Sequence, residues 1–270
     1  MNAQDMWIAQ ISDPHLRPSG LLYQDVLDTA APLRTAIAQI NALDPPPDVV
    51  LLTGDVVDEG AAAEYAVARD VLAALQPKLL VIPGNHDERL AFRTAFHDHA
   101  YLPQTGPLHY VIDDAGPVRV IALDVTVPDL HHGVVDDAAL LWLEQVLGAE
   151  AERPSVVMMH QPPLVSGVPY LDEYRCFGGD RLAEVLRRFP AVERVLCGHV
   201  HRQMQMRFGG TLLCTAPSTA TTIALQTQAD AEPASFIEPP GFLLHHWRPD
   251  RGMVTHSIPI GTFPGPFAFA

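Results

Sequence analysis

Apolar positions along the first two thirds of the chain fall into two alternating kinds of run. Short stretches rich in β-branched residues, 6–12 (MWIAQIS), 48–53 (DVVLLT), 78–82 (KLLVI), 118–124 (VRVIALD), 155–159 (SVVMM) and 193–197 (ERVLC), read as strands. Between them, 29–43, 62–76, 136–150 and 179–189 carry apolar residues at helical spacing, as in Leu33, Ile37, Ile40 and Leu43. Strand and helix in alternation predict a layered α/β fold. From about residue 209 the helical period stops, and extended runs at 211–216, 242–247 and 253–258 are separated by Thr, Ala, Pro and Gly. The expected division is a core over 1–208 and a C-terminal β segment over 209–270 that completes the second sheet, forms a cap or makes a subunit contact. The stretch 226–241, with only acidic charges (Asp230, Glu232, Glu238) and three prolines, reads as a long ordered loop or lid.

Composition narrows the function classes. At 270 residues with 48% apolar positions, the chain buries a sizeable core. Acidic residues exceed basic ones by 32 to 17, a formal charge of −15, so no general attraction to nucleic acid or anionic lipid is expected. Lys78 is the one lysine, which leaves arginine, backbone amides or bound metal to recognise an anion. Cys176, Cys197 and Cys214 lack the CxxC spacing of a zinc knuckle and read as reduced core thiols. No stretch approaches the roughly 18 apolar residues of a membrane span, and the opening MNAQDMWIAQIS has no signal-peptide pattern, so a cytoplasmic protein is expected.

Candidate chemistry sits at the carboxyl ends of the strands. The first ends in Ser12-Asp13-Pro14-His15, the second in Thr53-Gly54-Asp55 and the third in Pro83-Gly84-Asn85-His86-Asp87. The strand at 155–159 runs into His160, and that at 193–197 into Gly198-His199-Val200-His201. A lone His after a strand is more often a structural residue; five such pieces at the ligand-binding edge of an open α/β sheet are a site. In extended chain, residues two apart project to one side, so Asp13 with His15, and His199 with His201, can each share a metal. Asp13, His15, Asp55, Asn85, His160, His199 and His201 make seven oxygen or nitrogen donors, too many for one tetrahedral ion and suited to two ions sharing a carboxylate. The donor set suits Mn, Fe, Zn or Co, as two divalent ions or a mixed-valence pair. Gly54, Gly84 and Gly198 fit sharp turns that crowd the metals.

The ordered series DPH, GD, GNHD, H and GHVH over residues 13–201 resembles the calcineurin-like binuclear metallophosphoesterase superfamily. Within it, ISDPHLRP, VVLLTGDVVDEG, LLVIPGNHDERL, MMHQPPL and FPAVERVLCGHVHR are similar to class III cyclic-nucleotide phosphodiesterases and related bacterial glycerophosphodiesterases. The resemblance implies a four-layer α/β/β/α sandwich of two mixed sheets and a homo-oligomer. It also implies that Asp13, His15 and His201 bind one metal, Asn85, His160 and His199 the other, that Asp55 bridges them, and that His86 sits beside the pair without ligating. Members often have a second His after the metal-binding one, where this chain has Gln161.

Two divalent ions less the charges of Asp13 and Asp55 leave about +2, a match for the single negative charge of a phosphodiester. The expected reaction is hydrolysis of small phosphodiesters, 3′,5′-cyclic nucleotides such as cAMP or glycerophosphodiesters, by a metal-bound hydroxide, with His86 and Asp55 as the catalytic pair. A phosphomonoesterase or broad-specificity phosphoesterase of the same superfamily is the alternative, and a noncatalytic scaffold is disfavoured because no donor is missing. A monoester would ask for arginine clamps, with Arg17, Arg89 and Arg202 as candidates. His131 and His132 are expected to face solvent, His245 and His246 to be structural, and Tyr23, Tyr170, Cys176 and Phe177 to line a pocket.

Overall fold

Period-two alternation along the central strands sorts their side chains into two apolar layers in a computed structural model, which describes residues 5–268. Residues 1–4 of the opening stretch and 269–270 at the end of the C-terminal segment lie outside the described residues.

In chain order the elements are β1 (Met6–Ile11), α1 (Ala30–Asn41), β2 (Val49–Thr53), α2 (Ala62–Leu72), β3 (Lys78–Ile82) and α3 (Arg89–Ala95). Then come β4 (Tyr110–Ile112), β5 (Arg119–Ala122), β6 (Gly133–Val134), α4 (Asp137–Ala149), β7 (Ser155–Met158), α5 (Pro169–Glu173) and β8 (Cys176–Phe177). They are followed by α6 (Gly179–Leu186), β9 (Val192–Cys197), β10 (Met204–Phe208), β11 (Thr211–Thr215), β12 (Thr222–Ile223), β13 (Ser235–Phe236), β14 (Gly241–Arg248) and β15 (Gly252–Pro259).

Two mixed sheets result. One has the order β15-β14-β1-β2-β3, with β1, β2 and β3 parallel; the other has the order β10-β11-β9-β7-β5-β4, with β11, β9, β7 and β5 parallel. Val120, Ala122, Val156, Met158 and Leu196 of the second sheet join the cluster that contains the first sheet and helices α1 and α2. Their neighbours Ile121, Leu123, Val157, Met159 and Val195 join the cluster that buries α4 and α6. That division is the α/β/β/α sandwich. Parallel strands with both faces covered read as unbroken apolar runs, and all five residues of β2 are buried.

The helices use the predicted faces. Leu33, Ala36, Ile37 and Ile40 of α1 are buried, as are Ala139, Leu140, Leu143 and Leu147 of α4. The Asp136 carboxylate accepts from the Ala139 N–H at 2.8 Å and starts α4. The C-terminal residues divide between the sheets: β11 extends the six-stranded sheet, and the hairpin β14–β15 extends the five-stranded one through β1. Residues 226–241 are irregular apart from β13 and Gly241, which opens β14. No helix among the described residues is long and apolar enough to cross a membrane.

Phe242 of β14 is fully buried in the larger cluster, so Phe242→Ala should lower unfolding free energy by about 3–5 kcal/mol, read as a shifted midpoint in urea with the slope unchanged.

Candidate metal centre

All parallel strands send their carboxyl ends to one edge, and the five motif loops meet there. β1, β2 and β3 bring Asp13, His15, Asp55 and Asn85 from one sheet, while β7 and β9 bring His160, His199 and His201 from the other. Asp13, His15, Asp55 and His201 form one group with ligand atoms mutually within 4.8 Å, and Asp55, His160 and His199 form a second. Asp55 belongs to both. Its Oδ2 lies 3.6 Å from His15 Nε2 and 3.2 Å from His160 Nε2. His15 Nε2 and His201 Nε2 face each other at 3.0 Å.

The backbone that achieves this is not extended. Of eight non-glycine residues with positive φ among the described residues, five are Asp13 (52°), His15 (43°), Asp55 (48°), His199 (70°) and His201 (50°). Residues two apart therefore converge through left-handed turns rather than through the side-to-side alternation of a strand. Left-handed backbone disfavours residues with a Cβ by roughly 1–3 kcal/mol each, and the surroundings hold it in place. The Asp13 and His15 N–H groups donate to Gly54 O (3.2 Å) and Asp55 O (3.0 Å), and Ser218 Oγ donates to Asp13 O (2.7 Å). The His199 N–H donates to Asp13 Oδ1 at 2.9 Å. A Cβ on Gly84 would run into Asp55, one on Gly54 into the His160 ring, and one on Gly198 into Ser12 and Thr53 O, so each glycine is required by close approach.

Charges and tautomers are arranged for a cation. Burial raises the Asp13 carboxyl to about 6, with the Asp55 charge adding to it. Burial also works against Asp55, yet His160, His86 and His15 hold it well below the usual carboxylate range. His160 is buried, but Asp55 and Asp13 push its imidazole up to about 9. Burial pulls His199 down to about 3 and, with His15 nearby, pulls His201 down as well. His160 Nδ1 and His201 Nδ1 pair with the backbone oxygens of Thr53 (2.7 Å) and Thr221 (3.0 Å), which leaves each Nε2 aimed into the cluster. His160 Nε2, His199 Nε2 and His15 Nδ1 are buried without a hydrogen-bond partner. Orphaned imidazole nitrogens crowded around two carboxylates fit metal ions.

Other residues fall in informative places. His86 N–H donates to Asp55 Oδ1 (2.9 Å), and its Nδ1 pairs with Asp58 O (2.6 Å). Asp87 is buried beneath the loop, accepting from the Gly84 and Val56 N–H groups and from the Tyr65 hydroxyl. Gln161 is buried and donates to His131 O (3.1 Å) and weakly to Asn85 Oδ1 (3.5 Å), so it braces a donor of the predicted set. His131 is exposed as expected, yet it also lines the cavity over the cluster, with Nδ1 3.2 Å from Asn85 Nδ2; its solvent exposure concealed a role as cavity wall.

That cavity holds about 490 Å³. Its floor is His15, Asp55, Asn85, His199 and His201, and its walls include Tyr23, Asp58, His86, Tyr170, Tyr174 and residues 233–235. Tyr23 and Tyr170 are where the sequence placed them, whereas Cys176 is buried elsewhere and Phe177 is not among the wall residues. Sequence reading missed Tyr174 and 233–235, because nothing in their local pattern distinguishes a wall from any loop. His97 and His99 do not join a metal-capable group: Arg69 holds Asp98, and His99 pairs with Tyr101. His245 is buried against Gln10 and Thr255, and His246 stacks on Trp7.

Comparison with known proteins bears on the family and the fold. The calcineurin-like phosphoesterase family pattern matches residues 6–203. The chain is 32% identical over 268 residues to the glycerophosphodiester phosphodiesterase GpdQ of Enterobacter lignolyticus, covering 98% of this chain and 95% of that protein. It is 29% identical over 222 residues to the 3′,5′-cyclic adenosine monophosphate phosphodiesterase CpdA of Escherichia coli K12, covering 78% and 75%. A dimetal phosphatase from Danio rerio has the same fold, with a TM-score of 0.63 and 14% identity over 95% of this chain and 99% of that one.

Metal binding should release protons. Without metal, His160 titrates at about 9 and holds a proton at pH 7–8 that ligation must displace, so affinity should rise with pH up to about 9. Calorimetric titration with Mn(II) in buffers of different ionisation enthalpy measures the release.

Proposed function

The chain belongs to the calcineurin-like phosphoesterase family, and from that premise we propose that it is a binuclear metal-dependent phosphodiesterase acting on small diesters, glycerophosphodiesters first. The observation that carries the reading is Asp55, shared by two metal-capable groups on the floor of a cavity whose lining, among the described residues, contains no Arg or Lys. A dianionic monoester asks for such clamps. None of the three candidates is in that lining, and each is already paired: Arg17 with Asp58, Glu59 and Glu64, Arg89 with Asp124 and Thr126, and Arg202 with Ile223 O.

Glycerophosphodiesters come first because the likeness to GpdQ extends over 98% of the chain and so includes residues 233–235 of the cavity wall. Cyclic nucleotides are the second reading, favoured by the tyrosines at 23, 170 and 174, whose faces suit a base.

In this reading Asp13, His15 and His201 hold one ion, Asn85, His160 and His199 hold the other, and Asp55 holds both; Mn, Fe, Zn and Co suit the donors. Metal ions held there would supply Lewis acidity toward water and the phosphoryl oxygens. The His86 backbone N–H donates to Asp55 Oδ1 at 2.9 Å and so orients the shared carboxylate. His86 commits Nδ1 to Asp58 O and keeps Nε2 free; protonated there, it gives a proton to the departing alkoxide. Residues 1–208 supply this machinery, and 209–270 act as a cap through Ile223 and 233–235. The three free, buried cysteines support a reducing cytoplasm, and we expect the chain to self-associate.

Metal-loaded protein should hydrolyse glycerophosphoethanolamine more than about tenfold faster, in kcat/KM, than p-nitrophenyl phosphate, with cyclic AMP between them; faster monoester turnover overturns the reading. Asp55→Ala should lose bound metal by elemental analysis together with turnover. His86→Ala should keep its metal and lose about 10²- to 10⁴-fold in kcat.

A further inference from the structure

A second, smaller cavity of about 140 Å³ adjoins the first, sharing Tyr170, Ile223, Pro233 and Ala234 with it. Its remaining wall contains Glu173, Gln226 and Gln228, one acidic residue and no basic one among the described residues. Tyr170 and Glu173 lie three apart on α5, and side chains at that spacing share a face. The Tyr170 ring packs edge-on against Tyr174 with centroids 5.2 Å apart, so tyrosine lines the passage from the main cavity to the annex. Glu173 is exposed and has no ion-pair partner among the described residues, unlike Arg17, whose charge is absorbed by three carboxylates. Asp58, in the wall of the main cavity, is by contrast paired with Arg17 at 3.2 Å and lies 3.4 Å from His15 Nδ1 of the floor.

The two cavities are thus opposite in character. The floor, once loaded, is cationic and takes the phosphoryl group; the annex offers the Glu173 carboxylate beside the Tyr170 ring, surroundings that attract an organic ammonium. We propose that the annex formed by Tyr170, Glu173 and the 224–234 loop is a specificity subsite for phosphodiesters whose second alcohol carries a positively charged amine. This rests on the phosphodiesterase reading of the neighbouring floor. A neutral glycerol substituent gains nothing from Glu173, and an anionic one is repelled by it.

The test compares kcat/KM for glycerophosphoethanolamine and for glycerophosphoglycerol on the metal-loaded full chain, in wild type, Glu173→Gln, Glu173→Lys and Tyr170→Leu. The wild type should favour the amine-bearing diester; Glu173→Gln and Tyr170→Leu should each shrink that ratio about three- to tenfold, mainly through KM of the amine substrate, and Glu173→Lys should invert it. A ratio unchanged by Glu173→Gln, or an equal fall for both substrates, overturns the subsite while leaving the phosphodiesterase standing. Failure of wild type to cleave either diester or bis(p-nitrophenyl) phosphate overturns both.

Discussion

Two carboxylates and four imidazoles are buried within a few ångströms of one another, and the rest of the structure is organised around tolerating that. Burial works against charge on both Asp13 and Asp55, and the offset comes from imidazoles held close by, with His15 Nε2 and His201 Nε2 themselves hydrogen-bonded at 3.0 Å. Such a cluster persists only if its backbone cannot relax. Left-handed turns at Asp13, His15, Asp55, His199 and His201, glycines at 54, 84 and 198, and imidazoles tethered to Thr53 O and Thr221 O supply that restraint.

Restraint comes from the packing of two sheets. One metal-capable group draws chiefly on the five-stranded sheet and the other on the six-stranded sheet, so the distance across Asp55 depends on how the sheets face each other. A buried polar chain fixes that relation: Gln10 of β1 donates to Thr53 Oγ1 and to Cys197 O, each at 3.0 Å, and its own oxygen meets His245 of β14. One side chain thereby ties β1, β2, β9 and β14 a few residues below the site.

Above this rigid floor the walls are built differently. They come from the loop around Tyr23, the short helix α5 and the 224–236 loop, joined by a hydrogen bond from Ser235 Oγ to Gln24 Oε1 at 2.8 Å. The metal-capable donors are thus held by strand ends, while the cavity walls are left to loop segments, which tolerate variation.

The sequence alone determined the alternation of strands and helices, the donor series from Asp13 to His201 and the reduced, buried state of the cysteines, because each follows from residue type and local spacing. Helix ends shifted by up to four residues, as at the end of α2, because the last turn depends on neighbours. Three-residue β4 and the two-residue strands β6, β8, β12 and β13 carry too little pattern to declare themselves and exist through their partners. Tertiary structure alone decided that the i, i+2 donor pairs converge through left-handed turns, that His131 and Tyr174 become wall, and that Arg17, Arg89 and Arg202 are left out of the cavity lining. Those outcomes depend on contacts between residues distant in the chain, and local periodicity carries no record of them.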